Sequence, residues 1–161
     1  MDRKTILVVE DNSDELMIYS TLLSFRGYTI LAAAGFDEAF RIATEQLPDL
    51  AVIDVNLGDP SRDGCDLVQA LRDDERTREL PVIAHTAFGD VYRDSLERVG
   101  CATVIHKPSS PALLMHEIER VIGPGKHVDV DDRDRTPRQD RDPAEGQAHG
   151  QGELRVDAEG E

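Results

Sequence analysis

Residues 50–57 read Leu-Ala-Val-Ile-Asp-Val-Asn-Leu, an apolar run of four residues that is followed by the acidic Asp54. A short run without polar alternation predicts a strand buried on both faces, as in a parallel sheet. Four similar runs lie at residues 5–9, 29–33, 81–84 and 102–105. Together with Leu50–Ile53, they predict five strands in a sheet that is covered on both sides.

Segments with helical periodicity separate these runs. Phe36, Phe40, Ala43 and Leu47 repeat at the spacing of one helix face, between the second and third strands. Pro111 marks the first position of the last helix. Five strand–helix pairs in strict alternation predict an α/β, doubly wound fold with right-handed crossovers and five helices.

Composition excludes several classes of protein. The 161 residues contain 33 Asp and Glu against 18 Lys and Arg, a formal net charge of -15, which repels nucleic acids and anionic membrane surfaces. Cys65 and Cys101 match no zinc or disulfide spacing. The first apolar run is too short for a signal peptide or a membrane span. We therefore expect a cytoplasmic protein that neither binds nucleic acid nor inserts into a membrane.

The composition changes at Gly123-Pro124-Gly125, which is typical of a helix stop followed by a break. Residues 126–161 are rich in charged and small residues and contain few aliphatic side chains. Such a segment cannot bury enough apolar surface to fold. We predict a domain over residues 1–125 and an acidic disordered tail over residues 126–161.

Polar residues follow four of the five predicted strands: Glu10 and Asp11, then Asp54, Thr86 and Lys107. Each alone has an ordinary explanation, such as an acidic residue that favours a helix N-terminus. Together they would place three carboxylates at one edge of the sheet, where ligands bind in such folds. Unit charges about 4 Å apart repel by roughly 4 kcal/mol at a dielectric of 20. A divalent cation would offset that repulsion, and oxygen donors alone favour Mg²⁺.

These residues and their order resemble the receiver domain of two-component response regulators, over residues 3–122. The matching motifs are Glu10-Asp11, Asp54, Asp63-Gly64, Pro81-Val82-Ile83, Thr86-Ala87 and Lys107-Pro108. The resemblance implies a flavodoxin-like five-stranded parallel sheet with strand order 2-1-3-4-5.

The resemblance also implies a Mg²⁺ site. Asp11 and Asp54 would bind the ion directly, joined by the backbone carbonyl of Asn56, and Glu10 would act through a metal-bound water.

For the phosphoryl group, the resemblance implies that Asp54 is the acceptor and that a histidine kinase or phosphotransfer protein supplies it. Thr86 would hydrogen-bond the phosphoryl oxygens, and Lys107 would pair with them. Positioning and charge neutralisation are the main sources of rate in phosphoryl transfer, which agrees with these assignments.

Three features depart from the usual pattern of this family. His85, just before Thr86, stands where an aliphatic residue is usual, and we expect it to be a core or partly buried imidazole with a hydrogen-bond partner. Residues 58–62 make the loop between Asp54 and Asp63 two residues longer than usual. Val104 stands three positions before Lys107, where an aromatic residue is common.

The leading hypothesis is a single-domain response regulator that signals in a phosphorelay by binding an output protein of unknown identity. One alternative is a pseudo-receiver scaffold that is never phosphorylated. A haloacid-dehalogenase-like phosphatase usually has an acid/base Asp two positions after its nucleophile, and Asn56 stands there instead. A flavodoxin-type FMN carrier would bring the cofactor phosphate against the carboxylates.

Overall fold

The structure is a computed structural model, and it describes residues 3–126. The predicted disordered tail lies outside the described residues, apart from Lys126, and its disorder remains a prediction.

Five parallel strands and five helices alternate along the described part of the chain. The strands are β1 (Thr5–Val9), β2 (Thr29–Ala33), β3 (Leu50–Ile53), β4 (Val82–Thr86) and β5 (Thr103–His106). The helices are α1 (Ser13–Phe25), α2 (Phe36–Gln46), α3 (Gly64–Asp73), α4 (Gly89–Arg98) and α5 (Pro111–Ile122). The strand order is β2-β1-β3-β4-β5, which confirms the predicted flavodoxin-like, doubly wound sheet.

The fourth strand differs from its prediction at both ends. It begins one residue late because Pro81 has no backbone N–H to donate, although the Pro81 carbonyl accepts a hydrogen bond from the Ala51 N–H at 3.0 Å. It continues to Thr86, which is in register with His106 of β5. Thr86 is therefore the last residue of the strand rather than a residue that follows it.

The core has two layers, one on each face of the sheet. Leu7 and Val9 of β1 pack with buried residues of α2 and α3, while Ile6 and Val8 pack with buried residues of α1 and α5. Successive side chains of a strand point to opposite faces, so an unbroken apolar run is what a sheet covered on both sides requires. Among residues 3–126, no helix has both the length and the apolar character needed to cross a bilayer.

Arg72 of α3 joins two turns at the edge opposite the polar cluster. Its guanidinium donates hydrogen bonds to the carbonyls of Val99 at 3.1 Å, Gly100 at 3.2 Å, Arg78 at 3.0 Å and Leu80 at 2.6 Å. The planar fork of donors suits Arg for binding several carbonyls at once.

We expect Arg72→Met to lower the free energy of unfolding by about 1 to 2 kcal/mol, because four carbonyls, two of them part-buried, lose a charged donor. Urea denaturation followed by circular dichroism measures the change. Arg41→Met is the control, since Arg41 is a 58% exposed side chain on α2 and its loss should leave the midpoint unchanged. Equal midpoints for both variants would contradict the bridging role of Arg72.

Candidate functional site

The carboxyl ends of β1 and β3 place two carboxylates side by side. Val9 and Ile53 are register partners, and the next residues are Glu10 and Asp54. The Asp54 N–H donates to the Val9 carbonyl at 3.0 Å, and the Glu10 N–H donates to the Ala33 carbonyl at 3.1 Å. The hydrogen bonds of the sheet therefore extend one residue past the strands and fix the backbone of both acids.

Glu10, Asp11 and Asp54 form the carboxylate cluster that the sequence predicts. Each offers a carboxylate oxygen that lies within 4.8 Å of the other two. Glu10 is 3% exposed and Asp54 is 8% exposed, whereas Asp11 is exposed. Glu10 and Asp54 are thus buried, and Asp11 faces the solvent.

The loop after Asp54 completes this cluster. The Asn56 N–H donates to Asp54 Oδ1 at 3.3 Å, which places the Asn56 backbone beside the carboxylates. Gly58 adopts a φ of 76°, and a Cβ atom there would lie 3.2 Å from Asp11 Oδ2. Glycine adopts this left-handed backbone conformation without strain, and it makes no tight side-chain contact with Asp11. A set of oxygen donors with room beside it fits a hard cation such as Mg²⁺.

Lys107 is the cation that joins these acids. Its Nζ lies 2.6 Å from Glu10 Oε2, 3.1 Å from Glu15 Oε2 and 3.3 Å from Asp54 Oδ2. Burial alone would lower the pKa of Lys107, but the hydrogen bond to Glu10, the charge of Asp54 and the hydrogen bond to Glu15 outweigh it and raise the pKa above its usual value. Lys107 therefore stays protonated over the whole physiological range.

Glu10 is hard to ionise despite this partner. Burial raises the pKa of Glu10 most, and the charge of Asp54 raises it further. These two effects outweigh the hydrogen bond from Lys107, so the pKa of Glu10 rises to about 7. One ammonium group shared among several carboxylates leaves the cluster short of positive charge. This is the electrostatic condition that a bound divalent cation relieves.

Thr86 is fully buried at the end of β4. Its Oγ1 accepts a hydrogen bond from the Phe88 N–H at 3.2 Å. The open cavity at this edge has a volume of about 740 Å³, and its lining includes Ala87 and Phe88 rather than Thr86. The structure thus brings Glu10, Asp11, Asp54, Asn56 and Lys107 together in one cavity, whereas Thr86 is buried next to the lining residue Ala87 and does not itself line the cavity.

Glu15 is a partner of Lys107 that was not predicted from the sequence. Glu15 lies in the first turn of α1, four residues after Asp11, and it lines the same cavity. The signal was an acidic residue in the first turn of the predicted first helix, which begins directly after the predicted ligands Glu10 and Asp11. An acidic residue there ordinarily favours the helix N-terminus, so this signal alone does not identify a partner of Lys107.

His85 supports the loop that carries Lys107. Its Nε2 lies 3.0 Å from Ser109 Oγ, and its ring meets Tyr19 edge-on with centroids 5.0 Å apart. Burial, followed by the charge of Lys107, lowers the pKa of His85 to about 4. A neutral imidazole therefore anchors the loop at physiological pH.

The long loop after Asp54 is attached to α2 through Arg62. The guanidinium donates to the Asp37 carboxylate at 2.9 and 3.1 Å, and it lies 4.3 Å from the centre of the Phe36 ring. Arg62 also pairs with Asp59 at 3.5 Å. The extra residues of this loop are thus held by contacts outside the carboxylate cluster.

The family is defined by a match that covers most of the described chain. The model of the response regulator receiver domain matches residues 6–119, and the chain belongs to this family. Its function is phosphorelay signalling, and the comparisons favour neither a phosphatase nor an FMN carrier.

Curated relatives include the polar-differentiation response regulators DivK of Brucella ovis and Brucella anthropi. They are 34% and 33% identical to this chain over 123 residues, which cover 74% of this chain and 97% of each relative. The match therefore spans almost the whole of these response regulators.

Solved structures of receiver domains have the same fold. The chemotaxis protein CheY4 of Vibrio cholerae has a TM-score of 0.69 at 25% identity, over 75% of this chain and 100% of that chain. The receiver domain of the sensor histidine kinase PA1611 from Pseudomonas aeruginosa has a TM-score of 0.69 at 30% identity, over 76% and 99%. That structure has a magnesium ion coordinated in its active site cleft.

Proposed function

We propose that Asp54 accepts a phosphoryl group from a phosphohistidine and that this chemistry drives the signalling function. The observation that carries the proposal is the position of Lys107 Nζ, 3.3 Å from Asp54 Oδ2 at a cavity lined by three further acids. A carboxylate at a cavity with a fixed cation beside it is suited to attack an anionic phosphoryl group.

The transfer exchanges one bond to phosphorus for another. An oxygen of the ionised Asp54 carboxylate forms a bond to phosphorus while the bond between phosphorus and the donor imidazole nitrogen breaks. The electron pair leaves with the nitrogen, and the imidazole takes up a proton. Lys107 balances charge on the phosphoryl oxygens.

We also propose that Glu10, Asp11, Asp54 and the backbone carbonyl of Asn56 hold Mg²⁺, with Glu10 acting through a water. Mg²⁺, when bound, supplies the positive charge that neutralises the phosphoryl oxygens. Support comes from the clustered carboxylates and the raised pKa of Glu10.

We propose that the Thr86 hydroxyl donates a hydrogen bond to the phosphoryl group. A hydroxyl has one O–H donor and two acceptor lone pairs. Its oxygen can accept the hydrogen bond from the Phe88 N–H while its proton points to a phosphoryl oxygen. Thr86 would therefore sense the modified Asp54 through its hydroxyl orientation and the attached Phe88 turn.

We propose a histidine kinase or a phosphotransfer protein as the donor and another protein as the output partner. Helix α1 contributes Glu15 and Tyr19 to the lining of the cavity, so its surface lies beside the site that a donor would approach. Next to them on the same helix, Met17 is 70% exposed and Ile18 is 61% exposed. An apolar patch beside a charged cavity suits a protein that presents a phosphohistidine on its surface.

The decisive experiment is incubation of the full chain with acetyl phosphate and Mg²⁺, followed by intact mass measurement. We expect a gain of one phosphoryl group, which EDTA prevents. A pseudo-receiver scaffold would instead keep its mass under both conditions, and that result would overturn the proposal.

A further inference from the structure

Glu15 lines the cavity from a capped position in the first turn of α1. The Asn12 side chain is the N-cap of α1, and its Oδ1 accepts a hydrogen bond from the Glu15 N–H at 3.0 Å. This cap fixes the backbone from which the Glu15 side chain reaches Lys107. Glu15 Oε2 lies 3.1 Å from Lys107 Nζ, and the Glu15 side chain is 39% exposed.

Lys107 has no spare donor in this arrangement. An ammonium group has three N–H donors, and Lys107 directs Nζ toward three carboxylates, those of Glu10, Glu15 and Asp54. A phosphoryl group on Asp54 would need a contact with Lys107, so one of the present partners must give way.

The three partners differ in how easily they can leave. Glu10 has the shortest contact, at 2.6 Å, and its side chain is 4% exposed, so a Glu10 carboxylate that moved away from Lys107 would lose its partner with little solvent to replace it. Asp54 is the proposed acceptor and stays beside Lys107. Glu15 is the most exposed of the three and can rotate into solvent, where water replaces the lost hydrogen bond.

We propose that Glu15 is a positioning residue that competes with the phosphoryl group for Lys107. It holds the ammonium group in place before phosphorylation and must be displaced when the phosphoryl group arrives. Glu15 thereby slows phosphorylation and weakens retention of the phosphoryl group. This inference rests on the proposed acceptor role of Asp54.

The test compares the parent chain with Glu15→Gln. We expect the variant to be phosphorylated by acetyl phosphate roughly two- to fivefold faster, the range of a half-exposed ion pair. It should also lose the phosphoryl group more slowly after the donor is removed. Beryllofluoride, a non-covalent analogue of the phosphoryl group, should bind the variant two- to fivefold more tightly than the parent with Mg²⁺ present, because the variant lacks the same competing ion pair.

Two further variants separate a contact from a general effect of charge. Asp14→Asn removes the same charge from an exposed neighbour that lies outside the cavity lining, and it should match the parent. Glu15→Asp keeps the charge but shortens the side chain by one methylene, so it should lose the contact with Lys107 and behave like Glu15→Gln.

The outcomes separate the two proposals. If Glu15→Asp behaves like the parent, or if Asp14→Asn matches Glu15→Gln, the effect is one of charge and the competition for Lys107 is wrong. If the parent is phosphorylated and all variants equal it, the Glu15 proposal fails while the acceptor proposal stands. If the parent takes up neither phosphate nor beryllofluoride, both fail.

Discussion

Asp54→Asn is expected to gain no phosphoryl group from acetyl phosphate and Mg²⁺ under conditions that label the parent chain completely. The amide of Asn is neutral and its nitrogen lone pair is delocalised, so the variant has no nucleophile at this position. The fold should persist, because the charge of Asp54 raises the pKa of its buried neighbour Glu10 and its removal relieves that repulsion. Intact mass measures the modification, and urea denaturation measures the fold.

Asp94→Asn is the matched control for this experiment. Asp94 is exposed on α4, so the same change there should leave phosphorylation intact. If Asp54→Asn still gains one phosphoryl group while it remains folded, another residue is the acceptor. Peptide mapping of the labelled variant would then identify that residue.

The fold could be predicted from the sequence because its signals are local. Unbroken apolar runs such as Leu50–Ile53 have no polar face, so they require cover on both sides of a sheet. Alternation of these runs with helical segments leaves few arrangements for a short chain. The carboxyl edge follows from that topology, and this is why Glu10, Asp54 and Lys107 meet where the sequence places them.

The charge network at the site could not be predicted in the same way. Whether Lys107 pairs with Glu15 depends on the angle at which α1 packs on the sheet and on the side-chain rotamers. The contact between His85 and Ser109 likewise depends on how the loop after β5 folds back. Arg72 is an ordinary helical residue in the sequence, and its carbonyl contacts exist only after three separate segments have packed.

Lys107→Met is expected to lower the free energy of unfolding by about 2 to 3 kcal/mol near pH 8. This loss is smaller than the loss expected for a fully buried ion pair, because Glu15, one of the partners of Lys107, is partly exposed. Methionine fills a similar volume but offers no charge to the Glu10 and Asp54 carboxylates. Burial already makes Glu10 hard to ionise, and Lys107 is the group that offsets this. Urea denaturation of parent and variant over a pH series measures the difference.

The contribution of Lys107 to stability changes with pH in a definite direction. The pKa of Lys107 is raised in the folded chain, so its contribution is present below its usual pKa and is lost as the pH rises through the folded value. The contribution also requires ionised partners, and Glu10, whose pKa is about 7, takes up a proton as the pH falls through that value. The difference in the free energy of unfolding between parent and variant should therefore become smaller below about pH 7.

Glu10 makes a separate contribution in the parent chain. Its pKa is raised from 4.5 to about 7 on folding, so the folded state binds more protons than the unfolded state between these values. The parent itself should thus become less stable as the pH rises through this window. Removal of Lys107 takes away a group that lowers the pKa of Glu10, so in the variant this loss should extend to higher pH.

Mg²⁺ provides the second test of Lys107→Met. If the cluster holds the ion as proposed, added Mg²⁺ should stabilise the variant more than the parent, because the variant has more uncompensated negative charge at the same oxygens. Lys4→Met is the control, since it removes the same charge from an exposed lysine and should respond to Mg²⁺ as the parent does. If Lys107→Met is as stable as the parent near pH 8 without Mg²⁺, then Lys107 does not compensate the cluster. The acids would then have to be balanced by solvent, and the displacement of Glu15 would lose its physical basis.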